Sequence, residues 1–320
     1  MLLTTLPSPN HMHIPDGFLS MPILILCWIL TAFFVGIALR RTQTELGSRQ
    51  IPTMGVLTAT IFAAQMLNFP VAGGTSGHLI GGALAAILLG PWAAVLIMTS
   101  VVTLQALIFL DGGLLALGAN ILFMGVLAPW AGYSVYRLLA GVEERLATFV
   151  AAWISVVIAA TAVSLSLWLS GTVALPIVLR AMVAVHALIG IGEGLITLGI
   201  LTFLRNAMPE QSTHTSAQPV HGVFSRSWRA GLTLAFILAL LSPLASSWPD
   251  GLERVAEDTG FIGKAWDPLY NLLTDYTVPG LENPALSTIA AGLIGTALAF
   301  TVGYILARTL VNARPWATPK

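Results

Sequence analysis

Charge is what this chain has least of. Asp, Glu, Lys and Arg make up 9% of its 320 residues, against roughly 25% in an ordinary soluble domain. Fourteen acidic and 14 basic residues give a formal net charge of zero, so no overall field points to nucleic acid or to an acidic partner. The single cysteine, Cys27, excludes a disulfide framework within the chain; inside the first apolar run it reads as a small packing residue. The first eleven residues lack a basic stretch followed by a short apolar core, so no cleaved secretion signal is expected. H-E-x-x-H is missing, and the Gly-Ile-Gly-Glu-Gly of residues 190–194 follows no strand, which excludes a dinucleotide fingerprint there.

Apolar residues are abundant, at 56%, with a mean hydropathy of +0.86. They fall in runs at 21–39, 53–69, 78–90, 92–110, 114–136, 150–170, 177–204, 230–247 and 286–307. Most are near the ~20 residues that a helix needs to cross a bilayer core. The expected fold is an all-α polytopic membrane protein of nine helices, the one at 78–90 short, arranged as a seven-helix bundle plus a two-helix C-terminal unit. With the N-terminus outside, Arg40, Arg41, Arg49, Arg137, Arg145, Arg205, Arg226, Arg229, Arg308, Arg314 and Lys320 are cytoplasmic, leaving Arg180, Arg254 and Lys264 outside. The excess of basic residues in cytoplasmic loops sets that orientation, with the C-terminus cytoplasmic and the chain in the cell (inner) membrane.

Composition divides the chain further. Residues 1–11 form an extension; 12–205 a membrane domain; 206–228, rich in Ser, Thr, Gln and His, a cytoplasmic linker; 229–310 a two-helix unit around an outer loop, 248–285; and 311–320 a cytoplasmic tail. The outer loop opens Pro249-Asp250-Gly251-Leu252-Glu253, and its acidity would either concentrate cations or form a solvated loop. Gly77 and Gly81 have the small-xxx-small spacing of tightly packed membrane helices.

Polar residues inside apolar runs are costly in lipid and should face the interior. Gln105 and Asn120 are expected to make interhelical hydrogen bonds or to contact a substrate. His186 and Glu193 lie on one helix face, Glu193 about 10 Å farther toward the cytoplasm. They are expected to lie too deep to share an outer site and to form an internal polar network, or an ion relay.

The outer face collects His13, Asp16, His78 and Asp111. If the mature chain starts at Met12, its α-amine, the His13 amide nitrogen and the His13 Nδ1 can close two fused chelate rings on one cation, and His78 can add a fourth nitrogen. Planar nitrogen coordination suits Ni(II) or Cu(II), and Co(II) in a looser version. Asp16, Asp111 and Asn120 are then candidates to orient the imidazoles. The same histidines could instead be hydrogen-bonded packing residues, and His78, His186 and Glu193 could in principle serve an intramembrane metalloenzyme.

The stretches Met12-His-Ile-Pro-Asp-Gly-Phe-Leu-Ser20, Gly74-Thr-Ser-Gly-His78, Gly113-Leu-Leu-Ala-Leu-Gly-Ala-Asn120 and His186-Ala-Leu-Ile-Gly-Ile-Gly-Glu193 resemble the substrate-binding membrane component of cobalt and nickel energy-coupling factor (ECF) transporters, the CbiM/NikM group. The likeness covers about 12–205. From 229, with Pro249 to Glu253, the chain is similar to the companion subunit of the CbiN/NikN group. The resemblance implies uptake of Ni(II) or Co(II), without choosing between them, with Met12, His13 and His78 as ligands and no intrinsic cofactor. It also implies a coupling transmembrane subunit (CbiQ/NikQ-like) and a cytoplasmic ATPase (CbiO/NikO-like). No Walker motif occurs here, so the chain is not expected to be an enzyme. The alternative is an ATP-independent channel or secondary transporter. In the family the chain starts at the Met-His pair, so residues 1–11 are expected to be a start-site artefact or to be removed.

Overall fold

In the computed structural model, residues 13–139, 141–206 and 228–313 are described. Met12, the extension 1–11, residues 207–227 of the expected linker and residues 314–320 of the tail lie outside them.

The chain is an all-α membrane protein, interrupted among the described residues by one small hairpin. Helix α1 (Met21–Glu45) starts behind Ser20, with Pro22 in its first turn, where the missing N–H costs nothing. It buries only a narrow stripe, Leu24, Cys27, Thr31, Ala38 and Thr42, and leaves Ile29 61% and Phe33 60% exposed. Such an outward apolar face belongs against lipid.

After α2 (Ile51–Gln65) the chain forms an antiparallel hairpin, β1 (Phe69–Val71) with β2 (Thr75–Gly77), Pro70 facing Ser76. Helix α3 (Gly82–Leu89) is short and buried along its whole length. The sequence predicted a helix from residue 78, but residues 78–81 are not helical. Gly81 sits at the N-cap with φ 80°, a left-handed conformation that glycine adopts without penalty. The close spacing of Gly77 and Gly81 therefore serves two separate approaches rather than one helix face: a Cβ on Gly77 would lie 2.6 Å from Ile189, and one on Gly81 2.8 Å from Ile61.

Helix α4 (Pro91–Leu104) runs into a π-helical turn, Gln105–Phe109, ending at Leu110 with φ 55°. Next come α5 (Leu117–Asn120), a second π-helical stretch (Ile121–Leu127), α6 (Ala128–Leu139), α7 (Glu144–Leu169) and α8 (Leu175–Asn206). Helices α7 and α8 pack along each other. Five helical stretches, Met21–Glu45, Pro91–Phe109, Glu144–Leu169, Leu175–Phe203 and Pro284–Asn312, are long and apolar enough to span a bilayer.

The C-terminal region adds α9 (Trp228–Leu241), α10 (Gly251–Thr259) and α11 (Pro284–Asn312). Helices α9 and α11 pack against α2. On α11 the residues Ser287, Ala291, Gly295, Ala299, Gly303 and Ala307 are all buried. They recur every four residues, which puts them on one face, and their small size lets α11 approach α2 closely. A Cβ on Gly295 would fall 2.2 Å from the Phe62 ring. Helix α10 has no counterpart among the predicted runs because its sequence is polar.

Candidate metal centre

His13 opens a turn segment held on three sides. Ile14 and Phe18 are buried. Asn120 grips Ile14 reciprocally: its Oδ1 accepts from the Ile14 N–H at 3.0 Å and its Nδ2 donates to the Ile14 carbonyl at 3.1 Å. Asp16 accepts from the N–H groups of Leu114 at 3.0 Å and Ala116 at 2.8 Å. From the C-terminal region, the Trp266 N–H reaches the Asp16 carbonyl at 2.9 Å. Asp16 and Asn120, expected to orient imidazoles, hold backbone; what they fix is the path of the chain just after His13.

Asp111 contacts the imidazole itself. His13 Nδ1 lies 3.0 Å from Asp111 Oδ1, close enough for an ion pair though without a well-aligned hydrogen bond. The π-helical turn explains the placement. The extra residue in that turn lets the Gln105 carbonyl accept from Leu110 and, at 3.2 Å, from Asp111, which aims residue 111 inward. Gly112, at φ 95°, admits the histidine, because a Cβ there would stand 2.8 Å from the His13 Cβ. Asp111 also accepts from the Tyr276 hydroxyl at 2.7 Å, and Gln105 donates to the Tyr276 oxygen at 3.1 Å.

His78 follows the hairpin, and its ring centroid is 5.7 Å from that of His13. Its Nδ1 lies 3.1 Å from the Leu79 carbonyl. A proton on that nitrogen puts the lone pair on Nε2, the usual preparation of a ligand imidazole. Glu193 fixes the segment from behind, its two oxygens accepting from Ile80 N–H at 2.6 Å and Gly81 N–H at 2.9 Å. Gln65 donates to the Ile80 carbonyl at 2.8 Å.

Both imidazoles line a cavity of about 70 Å³. His186, expected to lie too deep, lines the same cavity. The depth argument assumed a site at the membrane surface, but His13 is only 2% exposed and the cavity sinks between α7 and α8. His186 spends its Nδ1 on the Met182 carbonyl at 2.8 Å, while Glu193 serves the segment beneath His78.

Asp250, Gly251 and Leu252 also line the cavity. The Pro249 carbonyl accepts from the Ser76 N–H at 2.8 Å and the Trp248 carbonyl from the Ser76 hydroxyl at 2.8 Å, which lays the motif along β2. Asp250 caps α10 by accepting from the Glu253 N–H at 2.7 Å. Asp250 and Glu253 are buried rather than solvated. Burial pushes Asp250 up to about 7, and burial with the Asp250 charge beside it pushes Glu253 up to about 8. Near neutrality both are substantially protonated, so this end of the loop draws cations less than its charge count suggests.

The His13–Asp111 pair behaves differently. Burial works against both charges, but the pairing prevails, raising His13 above its ordinary 6.5 and lowering Asp111 to about 2. The histidine's contribution is complete below 6.5 and fades as pH rises through its folded value. The carboxylate's contribution is present above 3.8 and fades as pH falls through about 2. An ion bound at His13 Nδ1 must displace a proton. Ion affinity, followed by equilibrium dialysis, is therefore expected to rise by at least about tenfold per pH unit below the His13 value, and any further nitrogen ligand that must lose a proton extends the rise above it. Asp111→Asn should move the His13 part of the rise to lower pH; a pH-independent affinity would remove His13 from the site.

Among the described residues no group of three or more His, Cys, Asp or Glu side chains is placed to hold an ion. Two imidazole nitrogens are in place, and Met12, which the sequence adds to them, lies outside those residues.

Residues 13–211 match the family model described as cobalt uptake substrate-specific transmembrane region, CbiM, and residues 225–312 match the PDGLE domain. A relative in Archaeoglobus fulgidus, "Putative fused nickel transport protein NikMN", is 38% identical over 93% of this chain and 98% of its own length. The cobalt transport protein CbiM of Sorangium cellulosum is 35% identical over 62% of this chain and 93% of its own. A crystal structure described as a transition metal transporter superposes with a TM-score of 0.58 at 31% identity, covering 62% of this chain and 95% of that one. The chain belongs to the CbiM family of cobalt uptake substrate-specific transmembrane regions and carries a PDGLE domain in the same polypeptide.

Proposed function

We propose that this chain is the ion-binding and translocation subunit of an energy-coupling factor ABC importer for Ni(II) or Co(II). The observation that carries the reading is the meeting of His13 and His78, 65 residues apart in sequence, with ring centroids 5.7 Å apart on one buried cavity. The ion is held by the Met12 amine, the His13 amide nitrogen and Nδ1, and His78. It is captured from the outer face, with the N-terminus outside, the C-terminus cytoplasmic and the chain in the cell membrane. Residues 12–205 form the ion-binding unit, 206–228 the linker and 229–310 the companion unit, whose Asp250–Leu252 segment lines the cavity.

No Walker motif occurs in the chain, so a coupling transmembrane subunit and a cytoplasmic ATPase supply the energy. The ion is cargo, and no resident cofactor is needed. The test is radiolabelled nickel and cobalt uptake by vesicles holding the chain with and without an ATPase partner, with N-terminal sequencing of the active protein. ATP-dependent uptake by a chain starting at Met12 is the expected result. Uptake that persists without ATPase or ATP would make the protein a channel or secondary transporter, and activity with Met1 retained would remove the amine from the ligand set.

A further inference from the structure

We propose that residues 266–272, in the loop between α10 and α11, are a lipid-binding anchor: Trp266, Leu269 and Leu272 dip into the bilayer leaflet at the His13 end of the bundle. All three side chains turn outward, Trp266 59%, Leu269 89% and Leu272 51% exposed. Apolar side chains gathered on a surface mark a place where a partner excludes water. Here the partner is lipid, because the segment continues a surface that already faces it. The proposal stands apart from the ion-binding reading and does not rest on it.

Two attachments set the level of the segment. The first is to the spanning stretch Pro91–Phe109. The last carbonyls of a helix lack an intrahelical partner, and the loop takes two of them: Leu107 accepts from the Tyr270 hydroxyl at 2.8 Å and Ile108 from the Leu273 N–H at 3.1 Å. The Leu107 side chain is itself exposed, so a span that crosses the bilayer turns it to lipid. The second attachment is a cleft of about 330 Å³ that Trp266, Pro268 and Leu269 share with Leu110, Leu114 and Leu115. Leu115 is exposed, and its carbonyl accepts from Trp28 Nε1 at 2.9 Å. Trp28 lies about 10 Å along α1 from Met21, so the cleft opens beside the outward apolar face of that helix.

The chemistry of the segment fits the membrane boundary rather than the hydrocarbon core. Trp and Tyr, here Trp266 and Tyr270, concentrate where an apolar ring and a polar group are both served. Asp267 is exposed between Trp266 and Pro268. A carboxylate is costly in hydrocarbon, so Asp267 stays among the headgroups and keeps the insertion shallow, about 5–10 Å. The other carboxylate on the cleft, Asp16, has both oxygens on the N–H groups of Leu114 and Ala116. The anchor also bears on the turn after His13. The Trp266 N–H donates to the Asp16 carbonyl at 2.9 Å, and a Cβ on Gly17 would stand 2.7 Å from the Trp266 ring. Lipid that holds Trp266 thereby steadies that turn.

The experiment places the full chain in phosphatidylcholine vesicles, with Cys27→Ala removing the one native thiol and a nitrobenzoxadiazole fluorophore on Leu269→Cys. Ile25→Cys, on the outward face of α1, serves as the lipid reference, and Asp258→Cys, on the exposed face of α10, as the water reference. The label at 269 should emit to the blue of the one at 258 and resist aqueous iodide. It should lose about half or more of its emission to phosphatidylcholine carrying a nitroxide near the headgroup, and less to a nitroxide at the chain end. Adding Leu272→Asp should raise iodide quenching at 269, because the new charge draws the segment toward water. Iodide quenching at 269 as complete as at 258 would overturn the proposal. So would a blue-shifted label that no lipid nitroxide reaches, which would give this face to a second copy of the chain or to another protein.

Discussion

Replacing His78 by alanine should reduce nickel or cobalt uptake by about 100-fold or more, beyond the 10–100-fold typical of residues that only support a ligand. The change removes the imidazole that faces the His13 ring; the third imidazole on the cavity, His186, has its Nδ1 on the Met182 carbonyl and turns its Nε2 edge toward Gly251. The fold should survive. The segment after His78 is held through the backbone of Ile80 and Gly81 by Glu193, and the hairpin before it is closed by its own ladder and by the Trp248 and Pro249 carbonyls. Purified His78→Ala should therefore melt like the wild type in detergent while losing stoichiometric ion binding. An unchanged binding isotherm would take His78 out of the site.

The opposite pattern is expected for Glu193→Ala. This carboxylate is fully buried and touches no ion ligand directly; its oxygens satisfy two backbone donors at 2.6 and 2.9 Å. Deleting it orphans both N–H groups, at about 1–3 kcal/mol each, so the variant should lose about 2–6 kcal/mol of stability. Ion affinity should fall as well, because Ile80 is two residues from His78. Glu193→Gln can satisfy one donor with its carbonyl oxygen but turns an amide toward the other, so it should lie between. Thermal melts beside binding curves separate the cases: stability and binding falling together for Glu193, binding alone for His78. A Glu193→Ala protein as stable as the wild type would show that water replaces the carboxylate.

Much of this arrangement could be read from the sequence because membrane helices are set by local composition. The apolar runs at 21–39, 92–110, 150–170, 177–204 and 286–307 correspond to the five spanning-length helices among the described residues, since burial in lipid leaves backbone no alternative to internal hydrogen bonds. His13, His78 and Asp111 could be placed at one end by counting helices. Contacts between distant segments could not be. Tyr276 reaches Asp111 across 165 residues, and nothing in the sequence distinguishes it from Tyr270 in the same loop. Helix α10 did leave a signal: Asp250 followed three residues later by Glu253 is the spacing of an N-terminal cap, although a nine-residue polar helix escapes any search for apolar runs. His186 was misplaced because depth was counted along a helix, with no allowance for a cavity that descends beside it.

The close seat of α11 on α2 and the strapping of Trp248 and Pro249 to Ser76 lie wholly outside residues 207–227. Joining the two units in one polypeptide therefore governs their meeting more than the strength of their embrace. A covalent connection between matched surfaces makes their association intramolecular, so every CbiM region leaves the ribosome with its PDGLE domain at hand. In a bilayer where unlinked partners would have to find one another by lateral diffusion, the fusion sets the stoichiometry at one to one.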